Sequence, residues 1–298
     1  MLKSHKTLYS ECFKEYTLKE ENLKILQQEL LKMFLDIKEV CDRYSIIYML
    51  SGGTCLGAVR HKGFIPWDDD IDIMMKRDEY YKLVQIFNGE LSEQYLLVEP
   101  LHCKNYYHKM PRILKKNTRF VTVAGAGNEA LNMLSIDIFI IENVPASPFK
   151  RKYRSMVYDF AFKASSLCAD YIYPSPIIKS KLDSNKELRK YYKARRTAGA
   201  IFHYIGGERF YLRICEKIAN YPHKTGWYGV PSAISYLREL THSDIFDSCD
   251  KAIFCGFEVN IPAGYKAYLK KLYGDDYMVV PDKTKRETHS IVDIKYEL

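Results

Sequence analysis

Leu50-Ser51-Gly52-Gly53-Thr54-Cys55-Leu56-Gly57-Ala58-Val59-Arg60-His61-Lys62-Gly63-Phe64-Ile65-Pro66-Trp67-Asp68-Asp69-Asp70-Ile71-Asp72-Ile73-Met74-Met75 is the stretch on which the reading of this chain turns. It places four aspartates in five positions. Carboxylates held within a few ångströms repel and raise one another's pKa unless a cation neutralises them. Asp68 to Met75 alternates acidic and apolar residues as a strand does, which puts Asp68, Asp70 and Asp72 on one face and Ile71, Ile73 and Met75 on the other. A donor set made only of oxygen favours Mg2+ or Mn2+ over zinc. Upstream, Ile46 to Leu50 reads as a buried strand, Ser51-Gly52-Gly53-Thr54 as the turn leaving it, and Thr54 to Arg60 as a short helix. Glycines at such a turn let the backbone approach an anion, and the helix N-terminus offers N–H groups to phosphate.

Working outward, Leu23, Leu26, Leu30, Met33, Ile37, Val40/Cys41 and Tyr44 recur every three or four residues, which predicts an amphipathic helix over 17–44. Thr17 and Glu20 fit a capping box at its start. Residues 78–87 read as a helix, and 95–98, 112–114 and 119–123 as strands. Leu134 to Ile141 is a strongly apolar strand whose one charge is Asp137. A phosphate-binding turn, an Asp-x-Asp strand and a lone aspartate in a later strand together describe metal-assisted phosphoryl or nucleotidyl transfer. Beyond Pro148 the pattern is helical and basic through about Tyr221, interrupted at Tyr173-Pro174-Ser175-Pro176. Residues 254–261 then read as a strand or hairpin, and 264–272 as a short helix.

The stretch from Leu50 to Ile73 closely resembles the signature of the LicD family of phosphocholine transferases, to which the fukutin-related proteins also belong. The resemblance extends to Ile136-Asp137-Ile138-Phe139 and to Tyr273-Gly274-Asp275-Asp276-Tyr277-Met278, with Pro281, Arg286 and His289 after it; it is weak over 148–230. It implies an α/β (α+β) chain: a nucleotidyltransferase-like mixed sheet flanked by helices, with a helical basic insertion. One domain over 1–298 is expected, with an N-terminal helix at 17–44, a catalytic core at 45–147, the basic segment at 148–230 and a completing part at 231–298. Bacterial members move phosphocholine from CDP-choline to a sugar of lipopolysaccharide or teichoic acid. By that resemblance Asp70, Asp72 and Asp137 are the catalytic residues, and Asp68, Asp70, Asp72 and Asp137 the Mg2+ or Mn2+ ligands. Ser51, Gly52, Gly53 and Thr54 are expected to hold the diphosphate, with Arg60, His61 and Lys62 contacting phosphate or capping the loop. Trp67 either offers its face to the choline cation or packs to fix the acidic strand. Tyr273 to Tyr277 are expected to close over the site, with Gly274 ending the helix before them. His289 is either a base or acceptor ligand, or a solvent-exposed histidine.

The composition sets the remaining bounds. The chain has 298 residues, of which 47% are hydrophobic and 28% charged, which excludes collagen-like, coiled-coil and broadly disordered classes. No apolar run reaches the ~18 residues of a membrane helix, and the first residues carry no hydrophobic signal core. The eight cysteines show no C-x-x-C pair or zinc spacing, so reduced thiols in a cytosolic protein are expected; the family resemblance and the charge imply a cytoplasmic location, peripheral at the inner membrane face. The net charge of +8 is uneven: Lys150 to Arg196 holds 13 basic and 4 acidic residues, a local +9. Such a segment suits an anionic partner, either a membrane surface, a phosphate-rich polymer or a nucleic acid, or is a solvated helical face with no partner; with the family resemblance, contact with an anionic membrane and no nucleic acid are expected. The donor is expected to be CDP-choline or another CDP-linked group such as CDP-ribitol or CDP-glycerol, and the acceptor a lipid-linked glycan. Two other readings stand beside this one: nucleotidyl transfer from an NTP, and a polyanion- or membrane-binding protein with a structural cation site.

Overall fold

In the computed structural model, residues 12–283, 286, 288 and 290–297 are described. Helix α1 (Glu20–Arg43) buries Leu26, Leu30, Met33, Phe34, Ile37, Val40 and Cys41, the apolar stripe expected from their spacing. The capping box does not form. Lys19 is the N-cap, without a side-chain bond, and Thr17 instead closes a short 3-10 turn over Lys14–Tyr16.

The chain then builds one mixed sheet. Strand β1 (Met49–Leu50) leads into α2 (Gly52–His61), followed by β2 (Asp72–Lys76), α3 (Arg77–Glu90), β3 (Tyr95–Val98) and β4 (Arg112–Lys115). After β5 (Arg119–Thr122) comes β6 (Ser135–Asn143), and the strand order is β1-β2-β6-β4-β3. Strands β2 and β6 run parallel, while β1 with β2, β4 with β6, and β3 with β4 run antiparallel. β7 (Trp227–Gly229) extends the far end of β6 and carries β8 (Thr241–His242). Both faces of β2 are buried, at Ile73, Met74 and Met75, so the sheet centre is dry, and α1 packs against β6.

The acidic stretch is a strand only from Asp72 onward. A turn bonded from Asp68 N–H to the Ile65 carbonyl (2.9 Å), with the Gln27 amide donating to the Asp68 carbonyl (2.8 Å), holds Asp68 to Asp70 as an extended loop. Strand β1 ends at Leu50, opposite Ile73, and the chain then turns into α2, so β1 offers Asp68 to Asp70 no partner; at its other end β1 is shorter than the expected 46–50. The alternation survives regardless: Asp69 and Ile71 are buried while Asp68, Asp70 and Asp72 are half-buried.

The basic segment folds as α4 (Pro148–Ile172), α5 (Pro176–Ser180), α6 (Lys186–Ile205) and α7 (Gly207–Ala219), with α6 and α7 both packed on α4. Helices α4 and α6 approach closely at Gly199, where a Cβ would stand 2.1 Å from the Leu167 carbonyl oxygen. Their core is separate from the sheet's and centres on Tyr158, Ala161, Ala164, Tyr211 and Cys215. A hairpin of β9 (Cys249–Phe254) and β10 (Phe257–Pro262) is followed by α8 (Tyr265–Tyr273), which Gly274 terminates at φ 93°. β11 (Ile291–Lys295) returns to pair with β5, a pairing that no local pattern announced. No helix among the described residues is long and apolar enough to cross a membrane, and no disulfide joins the cysteines.

Candidate active site

The parallel pairing of β2 with β6 sets Asp72 directly beside Asp137, and the antiparallel pairing of β6 with β4 sets Arg112 beside Asp137 on the other side. One row across three strands therefore reads Asp72, Asp137, Arg112. The Arg112 Nε lies 2.6 Å from Asp137 Oδ1, and Nη2 donates to Oδ2 at 2.8 Å, a two-point clamp on the carboxylate. Behind it, Arg112 Nη1 stands 3.2 Å from His108 Nε2. Burial and the neighbouring guanidinium push the His108 pKa well down, so the ring is neutral and Nε2 accepts. Arg112 and His108 carried no signal in the sequence; the cross-strand register reveals them.

The carboxyl of Asp72 is driven in the opposite direction. Burial first, then the charges of Asp70, Asp137 and Asp68, raise its pKa well above the usual carboxylate range, with Arg112 pulling the other way. In the loop before β2, Asp68, Asp69 and Asp70 can each present a carboxylate oxygen within 4.8 Å of the other two. Asp69, which the strand reading placed on the opposite face, joins this group. A cluster of hard oxygen donors whose charges oppose one another fits Mg2+ or Mn2+.

A cavity of about 680 Å³ opens over the row, within the size range of small-molecule sites. Asp70, Asp72, Asp137 and Arg112 form one side. The opposite wall comes from the helical segment: Phe162, Ser166, Ala169 and Asp170 of α4, and Arg195 of α6, whose Nε donates to Asp170 (2.5 Å). Tyr107 stacks on His108 and on Tyr173, with ring centroids 4.7 and 5.5 Å apart, and all three rings line the same cavity. The helical segment thus completes the cleft.

The glycine turn lies beside the acidic loop, outside that cavity's lining. Gly52 takes φ +47°, a conformation that L side chains rarely adopt. Its N–H donates to the Tyr268 hydroxyl (3.1 Å), which in turn donates to Glu239 (2.9 Å), and Ser51 Oγ lies 3.4 Å from the same hydroxyl. Burial raises the Glu239 pKa to about 7, against the lowering effect of the Tyr268 bond. Thr54 Oγ1 accepts the Asp72 N–H (2.9 Å) and so ties α2 to the head of β2. A Cβ on Gly53 would stand 3.1 Å from Asp68 Oδ2, so a larger residue there would press the Asp68 carboxylate back by a few tenths of an ångström. The Tyr273 hydroxyl also reaches this turn, bringing the end of α8 over it.

The basic residues at the end of α2 face elsewhere. Arg60 donates to the carbonyls of Tyr277 and Val279 (2.8 and 3.2 Å) and to His61 Nε2 (2.9 Å), bracing the segment after α8. Lys62 is exposed and takes the left-handed position ending α2. Trp67 packs edge-to-face with His61 and carries the Arg286 guanidinium 4.0 Å from its ring centroid, so a cation already covers that face. His289 lies outside the described residues.

Residues 45–175 match the family model of the nucleotidyltransferase domain described as LicD/FKTN/FKRP. The chain carries a LicD-family nucleotidyltransferase domain. Its boundaries run from the approach to β1 through α4, and so take in the glycine turn, the acidic loop, Asp137 and the first helix of the cavity's far wall. The chain is also similar to the lipopolysaccharide cholinephosphotransferase LicD of Haemophilus influenzae, at 29% identity over 289 residues, 93% of this chain and 97% of that protein. Shorter likenesses are to two uncharacterized proteins, of Rickettsia prowazekii (40% over 80 residues) and Rickettsia typhi (42% over 76 residues). They cover 27% and 25% of this chain, and 29% and 23% of those proteins.

Proposed function

We propose that the protein is a metal-dependent phosphotransferase that moves phosphocholine from CDP-choline to a sugar hydroxyl of a surface glycan and releases CMP. The observation that carries this reading is the row Asp72, Asp137, Arg112, lying with Asp70 on the floor of a cavity completed by the helical segment. The likeness to a lipopolysaccharide cholinephosphotransferase over nearly the whole length supports the transferred group and favours lipopolysaccharide as acceptor over teichoic acid.

In the reaction the acceptor oxygen forms a bond to the choline-bearing phosphorus, the bond from that phosphorus to the bridging oxygen breaks, and CMP leaves with the electron pair. The hydroxyl proton passes to a carboxylate of the row. Asp68, Asp69, Asp70 and Asp72 are the residues to hold Mg2+ or Mn2+, which when bound neutralises the charge building on the transferring phosphoryl group. Arg112 fixes Asp137 at two points and adds a positive charge at the edge of the row, so Asp137 is held in place before substrate arrives. The stacked Tyr107, His108 and Tyr173 offer π-faces to the cytosine ring or the choline cation. Tyr268 and Glu239 hold the Gly52 turn against the acidic loop.

The test is CMP release from CDP-choline with Mg2+ and a lipopolysaccharide acceptor, beside CDP-ribitol, CDP-glycerol, a chelator control and Asp70→Asn. CMP formation that needs acceptor and metal, occurs with CDP-choline and vanishes in Asp70→Asn is the expected result. Release from another CDP-alcohol alone would overturn the assigned group, and pyrophosphate release from an NTP would overturn the reaction class.

A further inference from the structure

Helix α4 carries two opposite faces. At 3.6 residues per turn, Phe162, Ser166 and Ala169 project toward the cavity. Phe149, Tyr153, Met156 and Phe160 fall on a single stripe on the other side, at spacings of four, three and four. These four are 81%, 61%, 65% and 59% exposed, respectively. The same helical arithmetic sets the exposed Lys152 and Lys163 on one flank of the stripe and the exposed Lys150 on the other. Phe160 meets Phe202 of α6 edge-to-face at 5.9 Å, and there the last turns of α6 expose Ile201, Tyr204 and Ile205 as well. Large side chains so exposed on one helix face, rimmed by lysines, mark an interaction surface.

We propose that this face of α4, with the end of α6, docks on a lipid bilayer bearing anionic headgroups. Charge selects the occupant. The local +9 of residues 150–196 is set against about −1 for the rest of the chain, so attraction to an anionic surface is concentrated on the segment that carries the apolar stripe. Aromatic and methionine side chains enter the headgroup boundary while flanking lysines remain among the phosphates, the pattern of helices that lie in the interface plane. A second copy of the chain would bring two +9 segments together, which disfavours a homodimer through this face. The consequence for the site is geometric. A helix is about 10 Å across, so the bilayer surface would lie one helix thickness from the cavity, within reach of an acceptor carried on a lipid. The docking itself does not depend on which group the site transfers.

The experiment is flotation of the full chain with phosphatidylcholine vesicles and with mixed phosphatidylcholine and phosphatidylglycerol vesicles. Binding is expected to the mixed vesicles and to fall steeply as salt rises from about 0.01 M to about 1 M, which shortens the Debye length from about 30 Å to about 3 Å. Substituting Phe149→Ser, Met156→Ser and Phe160→Ser together is expected to weaken binding by about tenfold or more. Lys152→Ser and Lys163→Ser are each expected to weaken it about fivefold. All these positions are exposed, so circular dichroism and turnover of a soluble acceptor are expected to match wild type. Equal flotation with both vesicle types, no salt dependence in the wild type, or undiminished binding of the triple variant would overturn the proposal. So would sedimentation showing a wild-type dimer that the triple variant loses while vesicles remain unbound.

Discussion

Replacing Glu239 with Gln changes the stability of this protein in a pH-dependent way that follows from its burial. Glu239 is 6% exposed, accepts the Tyr268 hydroxyl, and is shifted from an ordinary 4.5 to about 7, primarily by burial. Below about pH 4.5 the carboxyl is protonated in folded and unfolded chains alike and contributes no difference. Between 4.5 and about 7 the unfolded chain ionises while the folded one keeps its proton, so stability falls as pH rises; above about 7 the full penalty is present. At 1.36 kcal/mol per pH unit that interval corresponds to about 3 kcal/mol. Gln keeps an acceptor oxygen for Tyr268 and never ionises. Urea denaturation of both proteins is therefore expected to give nearly equal stabilities near pH 4.5 and a gap widening to about 3 kcal/mol in favour of Glu239→Gln near pH 8. Other carboxyls with raised pKa, Asp72 and Glu142 among them, act equally in both proteins and cancel from the difference. A gap that stays flat across this range would refute the reasoning, as would a wild type that is the more stable near pH 8.

Two further predictions address the row and two the glycines of α2 and α3. Asp72→Asn removes a charge that Asp70, Asp137 and Asp68 oppose, so without metal it is expected to melt higher than wild type while losing turnover by about 100-fold or more; a variant with normal CMP release would contradict the site. Arg112→Met strands the Asp137 carboxylate and is expected to cost about 3–5 kcal/mol, most of it recovered in the Arg112→Met, Asp137→Asn double variant, as read by a thermodynamic cycle. Gly57→Ala places a Cβ 2.5 Å from the Gly63 carbonyl oxygen and is expected to destabilise by about 2–3 kcal/mol in urea titration. Gly89→Ala, with nothing within 4 Å in an exposed helical turn, is expected to gain about 0.5–1 kcal/mol.

What the sequence disclosed, and what it withheld, divides along chain separation. The stripe of α1, the ends of β3, and the placement of the Asp72 and Asp137 strands come from local periodicity and composition, which neighbouring residues carry by themselves. The extent of the acidic strand was overestimated because alternation reports which side each residue faces, and not whether a partner strand is present to bond it. The Thr17 capping box failed for a related reason: its residues are right, but the chain there spends Thr17 on closing a different turn. Arg112 looked like any basic residue at a strand start, and Tyr268 and Glu239 like any helix and loop residues. Each acquires its part from a partner that register or tertiary packing supplies. Strand alternation would set Asp69 on the side of Ile71, and it is buried, yet in the loop its carboxylate comes within reach of those of Asp68 and Asp70.

The bond from Gly52 to Tyr268 spans 216 residues. Contacts so far apart form late, since the loop between them must close before they contribute. During synthesis the acidic loop and the sheet strands emerge long before the tyrosine that tethers the glycine turn, so the nascent chain carries its four aspartates before the turn beside them can be tethered. A ribosome that stalls before Tyr268 therefore releases a product with the charges of the site but without the bond that holds its turn.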